Sequence, residues 1–270
     1  MTRDKYVARP GGRVDQLNPY RIAFRFLLNR LSWDLSPRSW AHRRRILALR
    51  NTHAGKKAVI LCNGPGLKDV DFTLLNNVFS FGLNKINLIF GQTEFRPSAV
   101  VAVNPLVIQQ NSSFFSSTDI PLFLDRVATN YDISPGRNLH LLHSCDFPYF
   151  ARDCSVSVFQ GFTITFVAVE LAYQMGFSEV ALVGCDHDYK MTDDPNQIIY
   201  NKGADQVHFC DDYFTPDQPW QAADLKASEH YYDLARRCYK SDGRTIVNAS
   251  TTTRLDVFPL MRLEDFIQDA

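Results

Sequence analysis

The chain lacks several motifs that would assign it quickly. Its six cysteines, Cys62, Cys145, Cys154, Cys185, Cys210 and Cys238, form no CxxC pair. Zinc-finger and thioredoxin-like readings therefore have no support. There is no GxxxxGK[ST] and no GxGxxG, so the ordinary P-loop and dinucleotide readings lack their motif. There is no GxSxG or HExxH, and hydrolase and zincin readings fall away with them. No apolar run approaches the ~20 residues that span a bilayer. The first 20 residues are polar, include "RPGGR" and carry no signal-peptide pattern. Internal repeats are absent too. The unpaired cysteines, two of them at the ends of apolar runs, suit a reducing, cytoplasmic compartment.

What is present is a 270-residue chain, 45% apolar and 21% charged. Such a chain suits one large globular domain with or without an appendage. Its net charge is zero, yet the charge is unevenly spread. Residues 1–50 hold 12 of the 29 Lys/Arg and 3 of the 29 Asp/Glu, a net of +9, and the remainder carries −9. This predicts a basic arm on an acidic body. Residues 1–20 read as an unstructured start. "RIAFRFLLNRLSWDL" then reads as a helix with Arg21, Arg25 and Asn29 on one stripe. "SPRSWAHRRRILALR" restarts a helix, with Ser36 as N-cap and Pro37 at the first helical position. The arm reads as a basic helical hairpin. It packs on the body or rests on anionic lipid at the inner face of the membrane. Duplex binding through Arg43, Arg44 and Arg45 is the weakest option, and nucleic acid is not an expected partner.

From residue 51 onward a single Rossmann-like domain is expected. "KAVILC" (57–62), "VFSFGLN" (78–84), "SAVVAVN" (98–104), "IPLFLD" (120–125), "NLHLLH" (138–143), "EVALVGCD" (179–186) and "TIVNAS" (245–250) read as strands. Residues 162–177 read as a buried helix ending at Gly176, and 221–243 as an amphipathic helix ending at Gly243. Apolar strands alternating with helices argue for an α/β fold, a mostly parallel sheet covered on both faces. The stretch 187–220 has little periodicity and reads as a long, lid-like loop.

In open parallel sheets, ligands bind beyond the carboxyl ends of the strands. Three of the expected strands run out at an asparagine: Asn63, Asn84 and Asn104. An amide both donates and accepts, so it can read a base edge, a ribose or a phosphate. The plain alternative for each is turn chemistry. Gly64 removes a side chain where the first strand exits, which permits close approach of a ligand to backbone. "GCDHDY" (184–189) places Asp186, His187, Asp188 and Tyr189 after a buried strand. Asp186 suits a ribose or a metal, and His187 a ligand or proton shuttle. "VHFCDDYF" (207–214) brings His208, Asp211, Asp212 and Tyr213 together, which suits general-base work on a hydroxyl. A solvated polar loop accounts for either segment equally well.

"VILCNGPGLKDVD", "FGLN", "VAVNP", "AYQMGFSEVALVGCDHDY", "HF…DYF" and "GRTIVNASTTTRLDVFP" resemble, in order and spacing, the MptE-like superfamily. It includes archaeal 6-hydroxymethylpterin diphosphokinases, motility-accessory-factor glycosyltransferase-like proteins and the family 42 sialyltransferases. The resemblance covers roughly residues 45–260. It implies a nucleotide-binding transferase. By the sialyltransferase pattern, Asn63, Gly64, Asn84, Asn104, Gly184 and Asp186 hold the nucleotide. Cys62 stands in place of the pattern's first Gly, and Gly66 in place of its Ser. Thr163 or Thr165 and Tyr189 serve the phosphate, with Tyr189 one residue later than the pattern. His208-Phe209 matches a His-Tyr pair, while Asp212 occupies the position of the catalytic His, so His208 or Asp212 is the implied base. The implied donor is a CMP-linked, sialic-acid-type sugar. The implied acceptor is a glycan or lipid-linked precursor of the cell surface, with no tightly bound cofactor and no metal. The diphosphokinase branch implies instead ATP and magnesium held by carboxylates such as Asp186. A non-catalytic nucleotide-binding protein remains a third option, and self-association is compatible with each.

Overall fold

The computed structural model describes residues 18–133, 136–187, 197–200, 208–215 and 217–268. The chain divides into two compact units, Met1–Trp40 and Ala41–Ala270. Residues 41–50, read from the sequence as part of the arm, thus belong to the larger unit.

In the smaller unit, helix α1 spans Pro19–Asp34. Asn18 caps it by accepting from the backbone N–H of Tyr20 and Arg21, and Pro19 enters the first turn at no hydrogen-bond cost. Residues 18–20 therefore already belong to the helix start, not to an unstructured segment. Helix α2, Pro37–Ala48, begins at the expected proline, and its residues from Ala41 on belong to the larger unit. The joint is fixed by the Ser39 hydroxyl, which donates to the Ser36 carbonyl at 2.8 Å.

The larger unit is built on a seven-stranded sheet. Its strands are β1 (Lys57–Leu61), β2 (Phe79–Leu83), β3 (Ala99–Ala102), β4 (Leu122–Asp125), β5 (Leu139–Leu142), β8 (Glu179–Val183) and β11 (Thr245–Asn248). Two small ribbons lie outside it. One is β6 (Ser144–Cys145) paired with β7 (Val158–Phe159), and the other is β9 (Ile198–Tyr200) paired antiparallel with β10 (Pro219–Gln221). The last ribbon lies in and at the end of 187–220, the stretch read from the sequence as a lid-like loop, half of which lies outside the described residues. Strands of three residues carry too little periodicity to be seen in sequence.

The main sheet is parallel throughout, in the order β11-β8-β1-β2-β3-β4-β5. The chain winds from β1 out to β5, then returns to place β8 on the other side of β1. The direction of winding therefore reverses between β1 and β8. Short helices α3 (Pro105–Gln110) and α4 (Ser112–Ser117) follow β3, and α7 (Leu263–Gln268) closes the described chain.

Helix α5, Ile164–Met175, is buried on every side but its first residue. Its apolar sequence, ITFVAVELAYQM, fits a helix enclosed all round. It shares a core with Ala58, Ile60 and Cys62 of the β1 segment, Phe81 and Leu83 of β2, and Ala99 and Val101 of β3. Val59 and Leu61, of opposite parity, are equally buried on the other face. That is why these strands read as continuous apolar runs. The helix ends at Gly176, whose φ of 93° suits glycine. Helix α6, Leu225–Ser241, packs along α5 and β11.

The edge strand β5 is covered. The backbone N–H of Leu141 donates to His42 Nδ1 at 3.1 Å, and Arg45 donates to the Leu139 carbonyl at 3.2 Å. Within the larger unit, His42 and Arg45 thus serve to block a sheet edge. Burial, then the Arg45 charge, lowers the His42 pKa to about 4. Burial, Arg45 and His42 bring His140 to about 4 as well. The unfolded chain takes up these protons near pH 6.5 and the folded chain does not. The stabilisation is therefore complete above that pH and lost as pH falls from about 6.5 to 4. For His42 the ceiling is about 3 kcal/mol, at about 1.4 kcal/mol per pKa unit. Urea midpoints at pH 7.5 and 5 should show this loss. His42→Gln, which keeps an acceptor but does not titrate, should reduce the loss to the share His140 contributes.

Candidate active site

The β1 and β8 segments stay paired beyond their strand ends. Cys62 N donates to Val183 O at 2.8 Å, and Gly64 N donates to Gly184 O at 2.9 Å. Gly66 N then donates to Asp186 Oδ2 at 2.6 Å. A Cβ on Gly64 would lie 2.5 Å from Asp186 Oδ2 and 2.6 Å from Gly184 O, and one on Gly66 would lie 2.6 Å from Asp186 Oδ1. The glycines of Asn63-Gly64-Pro65-Gly66 are therefore required by Asp186 and Gly184, which fill the space their side chains would take. Gly184 itself has φ of 66°. The loop and the carboxylate form one clamp at the point where the sheet reverses its winding, the position where such sheets bind ligands.

The loop after β11 holds the clamp from behind. Ser250 Oγ accepts from Cys185 N at 2.8 Å, Thr253 Oγ1 donates to Cys185 O at 2.8 Å, and Arg254 N donates to Asp186 O at 2.9 Å. Beneath it lies a buried polar cluster. Cys62 Sγ is 3.5 Å from Thr165 Oγ1, Thr163 Oγ1 is 3.3 Å from Tyr232 OH, and Cys185 Sγ is 4.0 Å from the same hydroxyl. The Cys185 hydrogen bond, then burial, pushes the Cys62 thiol up. Cys62 is buried in the shared core, where a thiol packs as a small hydrophobe. Burial, then Cys185 and Cys62, pushes the Tyr232 hydroxyl up in the same way. Thr163 caps α5 by accepting from Thr165 N. It stands at the N-terminus of a full-length helix, where anions are favoured.

The three strand-end asparagines separate into two kinds. Asn104 caps α3, accepting from Leu106 N at 2.9 Å, and its amide donates to Gln221 Oε1 at 3.2 Å. This is turn and docking chemistry. Asn63 is 7% exposed, and its amide oxygen is buried without a hydrogen-bond partner among the described residues. The same is true of the amide oxygen of Asn84, whose backbone is left-handed with φ of 51°. Buried acceptors of this kind call for a donor from elsewhere.

His187 follows Asp186 directly, in a left-handed conformation with φ of 54°. Its Nε2 is 2.9 Å from Glu229 Oε1 on α6. A histidine held by a carboxylate, on a strained backbone at a strand end, has the arrangement of an oriented proton carrier. Glu229 was not legible as its partner, since 42 residues separate the two. Residues 188–196 lie outside the described chain, and the expected phosphate-side Tyr189 with them.

The segment from His208 to Gln221 is sewn to the strand ends. Phe209 N donates to Asn63 O at 3.1 Å, Lys85 Nζ to Tyr213 O at 2.7 Å, and Gln110 Nε2 to Pro219 O at 2.8 Å. The buried Lys85 also lies over the Phe214 ring at 4.5 Å. It follows Asn84 directly and carries no motif that marks it. The His208 ring stacks flat on Tyr213, centroids 4.1 Å apart, with Phe214 and Trp220 edge-on. Asp212 is exposed, and Asp211 pairs with Lys68 at 3.3 Å on the surface. So the backbone of Phe209, next to His208, is bonded to Asn63, while Asp212 is exposed. Among the described residues no group of three or more His, Cys, Asp or Glu could hold a metal ion. No helix among them is long and apolar enough to cross a membrane.

With this geometry in place, the chain can be compared with known proteins. No curated protein matches it. A MAf glycosyltransferase from Magnetospirillum magneticum AMB-1 shares 13% identity at a TM-score of 0.45. The match covers 78% of this chain and 34% of that one, so the chain spans about a third of that enzyme's length. The family model described as 6-hydroxymethylpterin diphosphokinase MptE-like matches residues 39–192. That range takes in the β1 loop, all three strand-end asparagines, α5 and the β8 clamp. It is more than half of the chain, and the chain belongs to the MptE-like family.

Proposed function

We propose that the chain is a transferase that binds a nucleotide across the β1–β8 clamp and passes on the group the nucleotide activates. The donor is a CMP-linked, sialic-acid-type sugar, and the acceptor a hydroxyl of a cell-surface glycan or its lipid-linked precursor. The observation that carries this reading is the pair of buried amide oxygens at Asn63 and Asn84 beside the Asp186–Gly66 clamp. An amide oxygen needs a donor, and the exocyclic amine of cytosine supplies one. Uracil offers one ring N3–H there, where the cytosine amine offers two donor hydrogens for the two amide oxygens. Thr163, at the start of α5, serves the phosphate. His187, oriented by Glu229, acts as the base. The alternatives drawn from the sequence are His208, whose ring is committed to a stack, and Asp212, which is exposed.

The family description favours a second reading, transfer of diphosphate from ATP to a pterin alcohol. Adenine also carries an exocyclic amine, so the base alone does not separate the two. The metal does. Magnesium is commonly held by one or two carboxylates together with substrate phosphates. Asp186 fits that need, and the ion would neutralise charge on the transferred group.

A thermal-shift panel of CMP, CTP, CDP, UDP, GDP and ATP, each with and without magnesium, separates these readings. A nucleotide at ~100 times its dissociation constant adds about 2.7 kcal/mol to the folded state. Stabilisation by CMP without metal, and none by UDP, is the expected result. Stabilisation only by ATP with magnesium would replace it with the diphosphokinase. No shift from any nucleotide would sink both.

A further inference from the structure

Helix α1 carries an apolar face that the smaller unit leaves in solvent. Tyr20, Phe24, Leu27, Leu28 and Leu31, with Leu35 at the C-cap, are 40% to 84% exposed. At ~100° per residue these six positions share one sector of about 100°. Arg21 and Arg25 lie along one margin of that sector. The single acid of the helix, Asp34, is held at 2.6 Å by Arg30 on the same helix. Residues 1–40 hold eight Lys/Arg and three Asp/Glu. Exposed leucines and aromatics in one continuous stripe are unusual on a helix meant for water. The arginine margin and the basic balance specify what covers them.

We propose that α1 is an in-plane membrane anchor. Its Tyr20–Leu35 stripe enters the headgroup boundary of an anionic bilayer, and Arg21 and Arg25 rest on the lipid phosphates. A 16-residue helix is about 24 Å long at 1.5 Å per residue, too short to cross a bilayer comfortably, and its arginines forbid crossing. Lying in the interface satisfies both faces. A second copy of α1 is the poorer occupant, because face-to-face pairing brings the arginine margins together without an acidic complement on that helix. The proposal is independent of the chemistry assigned to the larger unit.

Co-sedimentation of the full chain with vesicles tests it. One set is phosphatidylcholine alone, and the other contains 30% phosphatidylglycerol, both in 0.1 M salt. Binding to the anionic set should be at least tenfold tighter and should weaken as salt rises. Phe24→Glu and Leu28→Glu, both at exposed positions, should each reduce it at least tenfold while leaving the melting temperature unchanged. Arg21→Gln with Arg25→Gln should remove the preference for anionic vesicles. Failure to sediment with either set would overturn the proposal, and so would binding indifferent to all four substitutions. It would also fall if the wild-type chain proved to be a dimer in solution that Leu28→Glu converts to a monomer.

Discussion

Asp186→Ala should weaken nucleotide binding at least 100-fold, which is about 2.7 kcal/mol. The carboxylate accepts from Gly66 N at 2.6 Å, and the loop closes on it because Gly64 and Gly66 have no side chains there. Removing it leaves a buried N–H without an acceptor, a cost of about 1–3 kcal/mol to the loop itself. The loop would lose its shape before any ligand arrived. Asp186→Asn separates shape from charge, since its amide oxygen still accepts from Gly66. If the carboxylate only shapes the loop, Asn should restore most of the affinity. If it also holds magnesium, Asn should restore the loop but not turnover with ATP. Titration calorimetry with the nucleotide found in the panel, beside activity, reads both. Unchanged affinity in Asp186→Ala would remove the clamp from the binding site altogether.

Glu170→Ala should destabilise the larger unit by about 3–5 kcal/mol, a large part of the 5–15 kcal/mol typical of a folded domain. Glu170 lies on the fully buried helix α5. Its two carboxyl oxygens accept from Ala151 N at 2.7 Å and Phe159 N at 3.2 Å. Alanine would orphan both donors and leave a cavity. Glu170→Gln keeps one acceptor and should cost about 1–3 kcal/mol. Burial raises the carboxyl well above its usual range, against the pull of the two N–H groups. The folded state therefore holds a proton that the unfolded state releases near pH 4.5. Its contribution is complete below that pH and lost as pH rises through the raised folded value. The gap in denaturant midpoint between wild type and Glu170→Gln should narrow as pH increases. A gap that widens would mean the carboxylate is buried charged.

Much of the architecture is dictated locally. Strands β1, β3, β4 and β8 are short apolar runs buried on both faces, and such runs have few other uses in a chain of this composition. Helix α5 is visible for the same reason, and its end is visible because Gly176 alone tolerates the left-handed turn. Pro37 marks the start of α2. The expectation of a site at the strand ends follows from a parallel sheet of alternating strands and helices.

The tertiary structure decided how those strand ends differ. Asn63, Asn84 and Asn104 look alike in sequence. Only packing makes Asn104 a cap and leaves the other two with buried oxygens that have no partner among the described residues. Gly64 and Gly66 are 120 or more residues from Asp186, and only the β1–β8 pairing shows that they make room for it. His187 and Glu229 meet because α6 returns across the β8 end. The β9–β10 ribbon depends on pairing between strands too short to have a period. Local physical chemistry, expressed through hydrophobic runs, proline and glycine, determined the elements and their order. Long-range contact determined which polar groups are satisfied among the described residues and which are not.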